Sequence, residues 1–298
     1  MTKPNDKIKG IICILISALC FSGMSSFINL SGDVPVAQKV FFRNLVALFL
    51  AIVVLAKNHE KFLPAKGCLK YHLLRSSAGL LGVFGNFYAT THMSHTADAA
   101  MLNKLSPFAT LIFSAIFLRE KVKPKQAVAI AVAFVGSLFV IKPTLSNVEL
   151  LPSLAGLIGG LGAGAAYTTV RYMSSKGENS RFTVFFFSAF SVALTSPYLI
   201  FNYHPMTKQQ LIYLLLVGLC AAGGQFSITA AYSFAPSREI SIYDYSNIVF
   251  TAIEGYLFLG GQVPDALSIL GYSIICLAAL WMFIYNNKAD KGLKSNNA

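Results

Sequence analysis

The sequence predicts an all-α polytopic membrane protein: ten transmembrane helices in two inverted five-helix repeats, with both termini on the cytoplasmic side (N-in/C-in). Three observations carry this expectation. The 298 residues are 55% hydrophobic and 12% charged, with a mean hydropathy of +0.61, whereas soluble domains carry about 25% charged residues. Ten apolar segments approach the roughly 20 residues that a helix needs to cross a bilayer core. Residues 89–122 recur without a gap as residues 230–263, an internal repeat that constrains the architecture before any element is assigned.

The ten segments run 9–30, 36–56, 71–92, 97–118, 125–141, 154–174, 182–201, 210–231, 237–259 and 266–285. The first outlasts the ~7–15 residues of a cleaved leader's apolar core and no A-x-A site follows it, so it is read as a transmembrane helix. Pro35, Pro64, Pro124, Pro143, Pro152, Pro205, Pro236 and Pro264 fall in the gaps or at helix starts, where a missing N–H costs nothing. Pro107 and Pro197 are interior and mark expected kinks. In the sixth segment, Gly156, Gly160 and Gly164 form a small-residue seam suited to close helix contact. Cys13, Cys20, Cys68, Cys220 and Cys276 form no CxxC pair and read as small buried hydrophobes.

Charge placement sets the orientation. The net charge of +12 is not gathered into a nucleic-acid-binding patch, because most basic residues sit in short gaps between apolar runs. Eighteen Lys and Arg fall on the side of the amino terminus against three, Lys39, Lys142 and Lys208, on the other, which places both termini inside. Arg43, Arg75 and Lys104 lie within helices. Each half has five helices, an odd number, so the second half enters from the opposite face. The expected boundaries are 1–143 for the first repeat, 151–288 for the second and 289–298 for a cytoplasmic tail.

The two copies match at Ala89 and Ala230, Thr110 and Thr251, Ile112 and Ile253, and Phe117 and Phe258. Val40-Phe41-Phe42 matches Val184-Phe185-Phe186, and Gly82 matches Gly223. With these repeats, the motif Val40-Phe41-Phe42-Arg43-Asn44, the run Leu102-Asn103-Lys104-Leu105-Ser106-Pro107-Phe108 and the exit Phe117-Leu118-Arg119-Glu120-Lys121 resemble the EamA family of the drug/metabolite transporter (DMT) superfamily. The resemblance implies transport of amino acids, nucleotide-derived metabolites, sugars or drugs. It also implies a cavity-side role for Arg43, since similar members carry an arginine in that motif. Gly260-Gly261-Gln262 departs from the Gly-Glu pair often found at the second exit, so no function is assigned there.

An ionisable side chain inside a span costs about 2.5–3.5 kcal/mol on insertion scales, so each one is a candidate functional group. Lys104 reads either as a substrate or gating contact beside the carbonyl that Pro107 leaves uncapped, or as a lysine snorkelling to the outer interface. Asn103, Thr110 and Ser114 share its helix face, and Ser241, Asp244, Thr251 and Gly255 form the matching face of the ninth helix. Interhelical hydrogen bonding is the plainer reading of the hydroxyls. Either acid, Asp244 or Glu254, is a candidate for proton coupling, and for either the plainer reading is a structural ion pair with Arg43 or Lys104; pairing is expected for Glu254, and a cavity-lining place for Asp244, flanked by Tyr243 and Tyr245. Asn86, Tyr88, Tyr167, Gln225 and Tyr232 are pocket candidates weighed against ordinary packing. Arg75 and Arg171 read as interfacial anchors. His92, His95 and Asp98 read as a solvated turn more readily than as a metal site, and Asp98 and Glu239 as carboxylates favoured by a helix dipole.

The expected function is secondary active transport by alternating access of a small polar organic metabolite, such as an amino acid or nucleoside-derived compound, across the cytoplasmic membrane. Asn103-Lys104 in one copy against Asp244-Tyr245 in the other suggests a zwitterionic solute. The alternative is a polytopic membrane enzyme acting on lipid, although H-E-x-x-H, G-x-S-x-G and P-loop patterns are absent from the sequence. A channel would require symmetric copies. No cofactor, metal or nucleic acid is expected. The partners are the substrate, the lipid bilayer, protons as candidate coupling ion, and the chain itself as a monomer or homodimer.

Overall fold

A computed structural model describes residues 4–117, 124–142, 149–234 and 241–295; within these, the side chains of residues 4, 5, 7, 171, 174, 175, 180, 229, 232, 233, 241, 242 and 286–295 lie outside the description. Arg119, Glu120, Lys121 and Glu239, and the side chains of Arg171, Tyr232 and Ser241, are therefore outside the described residues.

The described residues form helices. The first half holds α1 (Pro4–Leu30), α2 (Val36–Lys57), α3 (Leu69–His92), α4 (Thr96–Asn103), α5 (Ser106–Phe117) and α6 (Pro124–Ile141). In the second half are α7 (Leu150–Ser175), α8 (Ser180–Phe201), α9 (Lys208–Phe234), a 3-10 turn (Ser241–Tyr245), α10 (Ser246–Phe258) and α11 (Ala266–Ser295). With α4 and α5 taken as one crossing, and the 3-10 turn with α10 as another, this gives ten. Eight are long and apolar enough to cross a membrane. The polar α3 is not among them, and it lies against α7, α8 and α4 inside the bundle. Phe49, Leu194, Ile200 and Leu277 stand exposed on α2, α8 and α11, apolar surface whose natural solvent is acyl chain.

The fourth crossing breaks instead of kinking. Pro107 has no N–H for the Asn103 carbonyl, and the Phe108 N–H turns to the Leu105 carbonyl at 3.0 Å, which leaves the Lys104 carbonyl without a helical donor. The ninth crossing changes at the equivalent place, from the 3-10 turn into α10 at Ser246. Pro197, by contrast, sits inside an unbroken α8.

Helix contacts repeat when the halves are exchanged. α1 packs on α9 as α7 packs on α3, and α1 on α10 as α7 on α5; α2 meets its counterpart α8, and α6 meets α11. At these self-paired contacts the start of one helix lies beside the end of the other. Gln38 Nε2 donates to the His204 carbonyl at 2.9 Å, Thr96 donates through N and Oγ1 to Gln262 Oε1 at 3.1 Å, and Lys142 Nζ reaches Asp265 Oδ2 at 2.8 Å.

Glycines set the closest approaches. On α7 the seam seats the broken crossing: a Cβ on Gly160 would lie 2.6 Å from the Leu102 carbonyl oxygen. A second stripe, which the sequence did not reveal, faces α3, where a Cβ on Gly159 would lie 2.8 Å from the Asn86 amide nitrogen. α7 thus binds α3 and the α4/α5 break at backbone distance, and holds both in place around the interior.

Candidate functional site

The two helix breaks meet each other. Lys104 ends α4, and its Nζ lies 2.6 Å from Asp244 Oδ2 in the 3-10 turn, with side chains 10% and 19% exposed. Tyr245 OH donates to the orphaned Lys104 carbonyl at 3.1 Å. Lys104 and Tyr245 occupy equivalent positions of the repeat, as do Asn103 and Asp244, so this cluster joins the halves through their matching irregularities. The other Asp244 oxygen, Oδ1, is buried without a hydrogen-bond partner. Lys104 therefore reaches inward to an acid and does not snorkel.

A second polar group lies between α2, α3, α8 and α9. Arg43 is 6% exposed, and its Nη1 donates to Asn44 Oδ1 at 2.9 Å. The guanidinium carbons of Arg43 and Arg75 lie 5.7 and 3.9 Å from the centre of the Phe187 ring. These groups, with Gln225, line a small recess of about 20 Å³. Tyr167 on α7 is 48% exposed although its electrostatic neighbours are Arg43, Arg75 and Asp244, so it faces open space between the arginines and the ion pair.

Several expectations need correction. Glu254 pairs with neither Arg43 nor Lys104; Lys104 is taken by Asp244, and Glu254, ten residues further along at ~1.5 Å per residue, accepts from Ser26 Oγ on α1 at 2.6 Å. Arg75 is no interfacial anchor, since its Nε and Nη1 are buried against Phe187. Lys39, counted among the charges of the outer side, is fully buried, and its ammonium donates to the carbonyls of Ile28 and Gly32, at and just beyond the end of α1, and to Thr91 Oγ1. Asp98 is 2% exposed and accepts from Tyr272 OH at 2.6 Å, so it is no part of a solvated turn, although it does lie in the first turn of α4. No group of three metal-ligating side chains occurs among the described residues.

The remaining candidates divide between packing and cavity. Thr110 Oγ1 donates to the Ser106 carbonyl, and Thr251, fully buried, donates to the Asn247 carbonyl and lies 3.3 Å from Ser22 Oγ, whose hydroxyl can donate to it, so both hydroxyls serve helix contacts. Ser114 is fully buried with no partner for its hydroxyl. Asn86 and Asn103 are half-buried at the two faces of α7. Tyr88 stacks on His92 at 4.1 Å beside a separate recess near Asp33.

Among the polar contacts that the sequence does not reveal, one lies at the end of the bundle where α3 begins. His72 Nε2 lies 2.9 Å from Glu178 Oε2, both buried. Burial alone would raise the Glu178 carboxyl, but hydrogen bonds from His72 and from the amides of Ala65 and Asn179 outweigh it and hold the group below the ordinary glutamate range. Nothing local in the sequence joins positions 72 and 178, which meet only through the α3–α7 contact.

A helical protein with eight helices long and apolar enough to cross a membrane among its described residues, and with charged groups sequestered around an interior recess, is of the class of multi-pass membrane transporters. The chain belongs to the EamA-like transporter family, whose model matches residues 8–142 and 150–284. It is 29% identical to the pseudopaline exporter of Pseudomonas aeruginosa over 91% of this chain and 94% of that one. It is 27% identical to an uncharacterized transporter of Helicobacter pylori (93% and 95% covered) and 24% identical to the riboflavin transporter of Vibrio cholerae (98% of each). A solved crystal structure superposes with a TM-score of 0.64 at 15% identity, covering 97% of this chain and 99% of that chain, a likeness of fold alone. The family resemblance is borne out, and the lipid-enzyme alternative is set aside because the family and its named relatives are transporters.

Proposed function

We propose that this transporter is a secondary active carrier that moves a small polar organic metabolite across the cytoplasmic membrane by alternating access. Residues 1–143 and 151–288 act as two repeats of opposite orientation, with both termini inside. The observation that carries this reading is the Lys104–Asp244 pair, which ties the two helix breaks to each other from opposite halves. Irregular backbone within a membrane is tolerated where protein or a water-filled cavity satisfies it, and transporters place such breaks at the binding site between repeats. The antiparallel meeting of α2 with α8 and of α6 with α11 supports the inversion, and the excess of Lys and Arg on one side supports the orientation.

The named relatives carry different cargoes, so family membership supports transport and leaves the cargo to the site. Arg43, Asn86, Asn103, Lys104, Tyr167, Gln225, Asp244 and Tyr245 are the residues assigned to the cavity. Asp244 is the proton-coupling group, because protonating it releases Lys104 and unlinks the breaks. Purified protein in proteoliposomes, offered labelled metabolites with and without a pH gradient, tests the reading. Accumulation of at least one metabolite that rises with the gradient is expected; equal flux with and without protein removes transport, and flux indifferent to pH removes the coupling.

A further inference from the structure

Arg43 and Arg75 bring two positive charges into one recess, and the described residues offer no carboxylate to balance them. The nearest electrostatic partner of Arg43 is Tyr167, and those of Arg75 are Tyr167 and Arg43 itself. The carboxylates of the interior are engaged elsewhere: Asp244 by Lys104 at 2.6 Å, Glu254 by Ser26 and Asp98 by Tyr272. The imbalance is therefore cationic, and a zwitterionic solute would not correct it.

Hydrogen bonding tells the same story. Arg43 Nε and Arg75 Nε and Nη1 are buried without a partner, although guanidinium N–H groups shut away from water need acceptors. The π face of Phe187 offsets part of the lost hydration of both cations, but their in-plane N–H donors remain unmatched. Two guanidinium forks set around one ring present the planar, bidentate geometry that suits carboxylate or phosphate oxygens. Ala47, Val184, Ala221, Ala222 and Phe226 complete the lining of this small recess, so it would take the anionic head of a larger solute and leave the body outside.

We propose that Arg43 and Arg75 form an anion clamp around Phe187, and that the transported solute is an organic anion whose carboxylate or phosphate oxygens accept from the unpartnered guanidinium N–H groups. The clamp supplies the substrate class for the carrier function and rests on that reading. In the clamped complex Tyr167 covers the solute on the side of the Lys104–Asp244 pair, which links occupancy of the recess to the two breaks.

Binding is measured on the purified full chain in detergent, by thermal shift and by calorimetry. The probes are succinate and citrate, glucose 6-phosphate, neutral glucose, cationic putrescine, and inorganic phosphate and acetate. At least one organic anion is expected to bind saturably, and the carboxylate and phosphate arms identify which oxyanion the clamp takes. Arg43→Gln and Arg75→Gln are each expected to weaken that binding about tenfold or more. Arg43→Lys and Arg75→Lys keep the charge and guard against loss of fold; without the planar fork they too should bind more weakly than wild type. The clamp is overturned if no organic anion binds, if only inorganic phosphate or acetate does, if glucose or putrescine binds in their place, or if the glutamine variants bind as wild type. Anion binding without flux in proteoliposomes would keep the clamp and sink the carrier reading; flux of a neutral or cationic solute with no anion binding would do the reverse.

Discussion

At the scale of single residues, each buried charge has a different accounting. Lys39 has no acid at all: three oxygens, two of them carbonyls at and just beyond the end of α1, hold its ammonium, in keeping with the preference of helix C-termini for cations. Lys104 is held by Asp244, and this pair separates stability from function. Removing one partner leaves the other charge stranded, a loss of about 3–5 kcal/mol for a buried pair, whereas replacing both by apolar groups is often neutral. Lys104→Met and Asp244→Leu should each lower the melting temperature, and the double variant should recover most of it while transport stays lost. Thermal unfolding and proteoliposome flux, measured on all three variants, check this. A double variant that transports at the wild-type rate would make the pair a packing device. In the sequence, Lys104 and Asp244 stood out because a charge in apolar text is conspicuous. Arg75 was misread because it sits six residues into α3, where an anchor also sits; what distinguishes the two cases is Phe187, more than a hundred residues away.

Among the elements, the breaks in the fourth and ninth crossings do most to shape the interior. Pro107 announces the first, since a ring nitrogen cannot donate to Asn103. The second has no proline, and only the alignment of Tyr245 with Lys104 across the repeat hints at it. Restoring the donor by Pro107→Ala should draw α4 and α5 toward a continuous helix and move Lys104 off Asp244. Flux is expected to fall by about tenfold while the melting temperature changes little, because a proline in the first turn of α5 costs the native fold little. Undiminished flux in this variant would separate the break from transport. The helix count, most boundaries and the Gly156–Gly160–Gly164 seam were legible from hydropathy and spacing. The Gly159 stripe was not, because α7 is rich in glycine all round and only the position of α3 says which residues face it.

Across the whole molecule, the exchange of halves gives the fold its functional logic. Each helix that meets its own counterpart, α2 with α8 and α6 with α11, does so near polar ties at one end: Gln38 with His204, and Lys142 with Asp265. Burial of Asp265 is slight, and the Lys142 hydrogen bond comes first in holding its carboxyl down to about 2, so this tie stays charged across the physiological range. On the proposed alternating-access reading, rocking of one half against the other would loosen such ties at one end while others close at the opposite end, where Glu60 meets Arg181 and His72 meets Glu178. The repeat makes inversion an expectation from sequence, since five helices per half is an odd number. Contacts between the halves were beyond it, because no local pattern encodes which side chains meet across a pseudo-symmetric centre.

Tyr167 stands at that centre, exposed between the arginines and the ion pair, and its accessibility is the most direct test of a site that opens alternately to each side. The measurement is labelling of Tyr167→Cys by a membrane-impermeant maleimide, in a chain whose five native cysteines are replaced, in right-side-out and inside-out vesicles. Alternating access predicts labelling from both sides. It also predicts that a Gln38→Cys/His204→Cys crosslink restricts labelling to one of them. Labelling from a single side in the uncrosslinked protein, in the presence and absence of solute, would contradict the account.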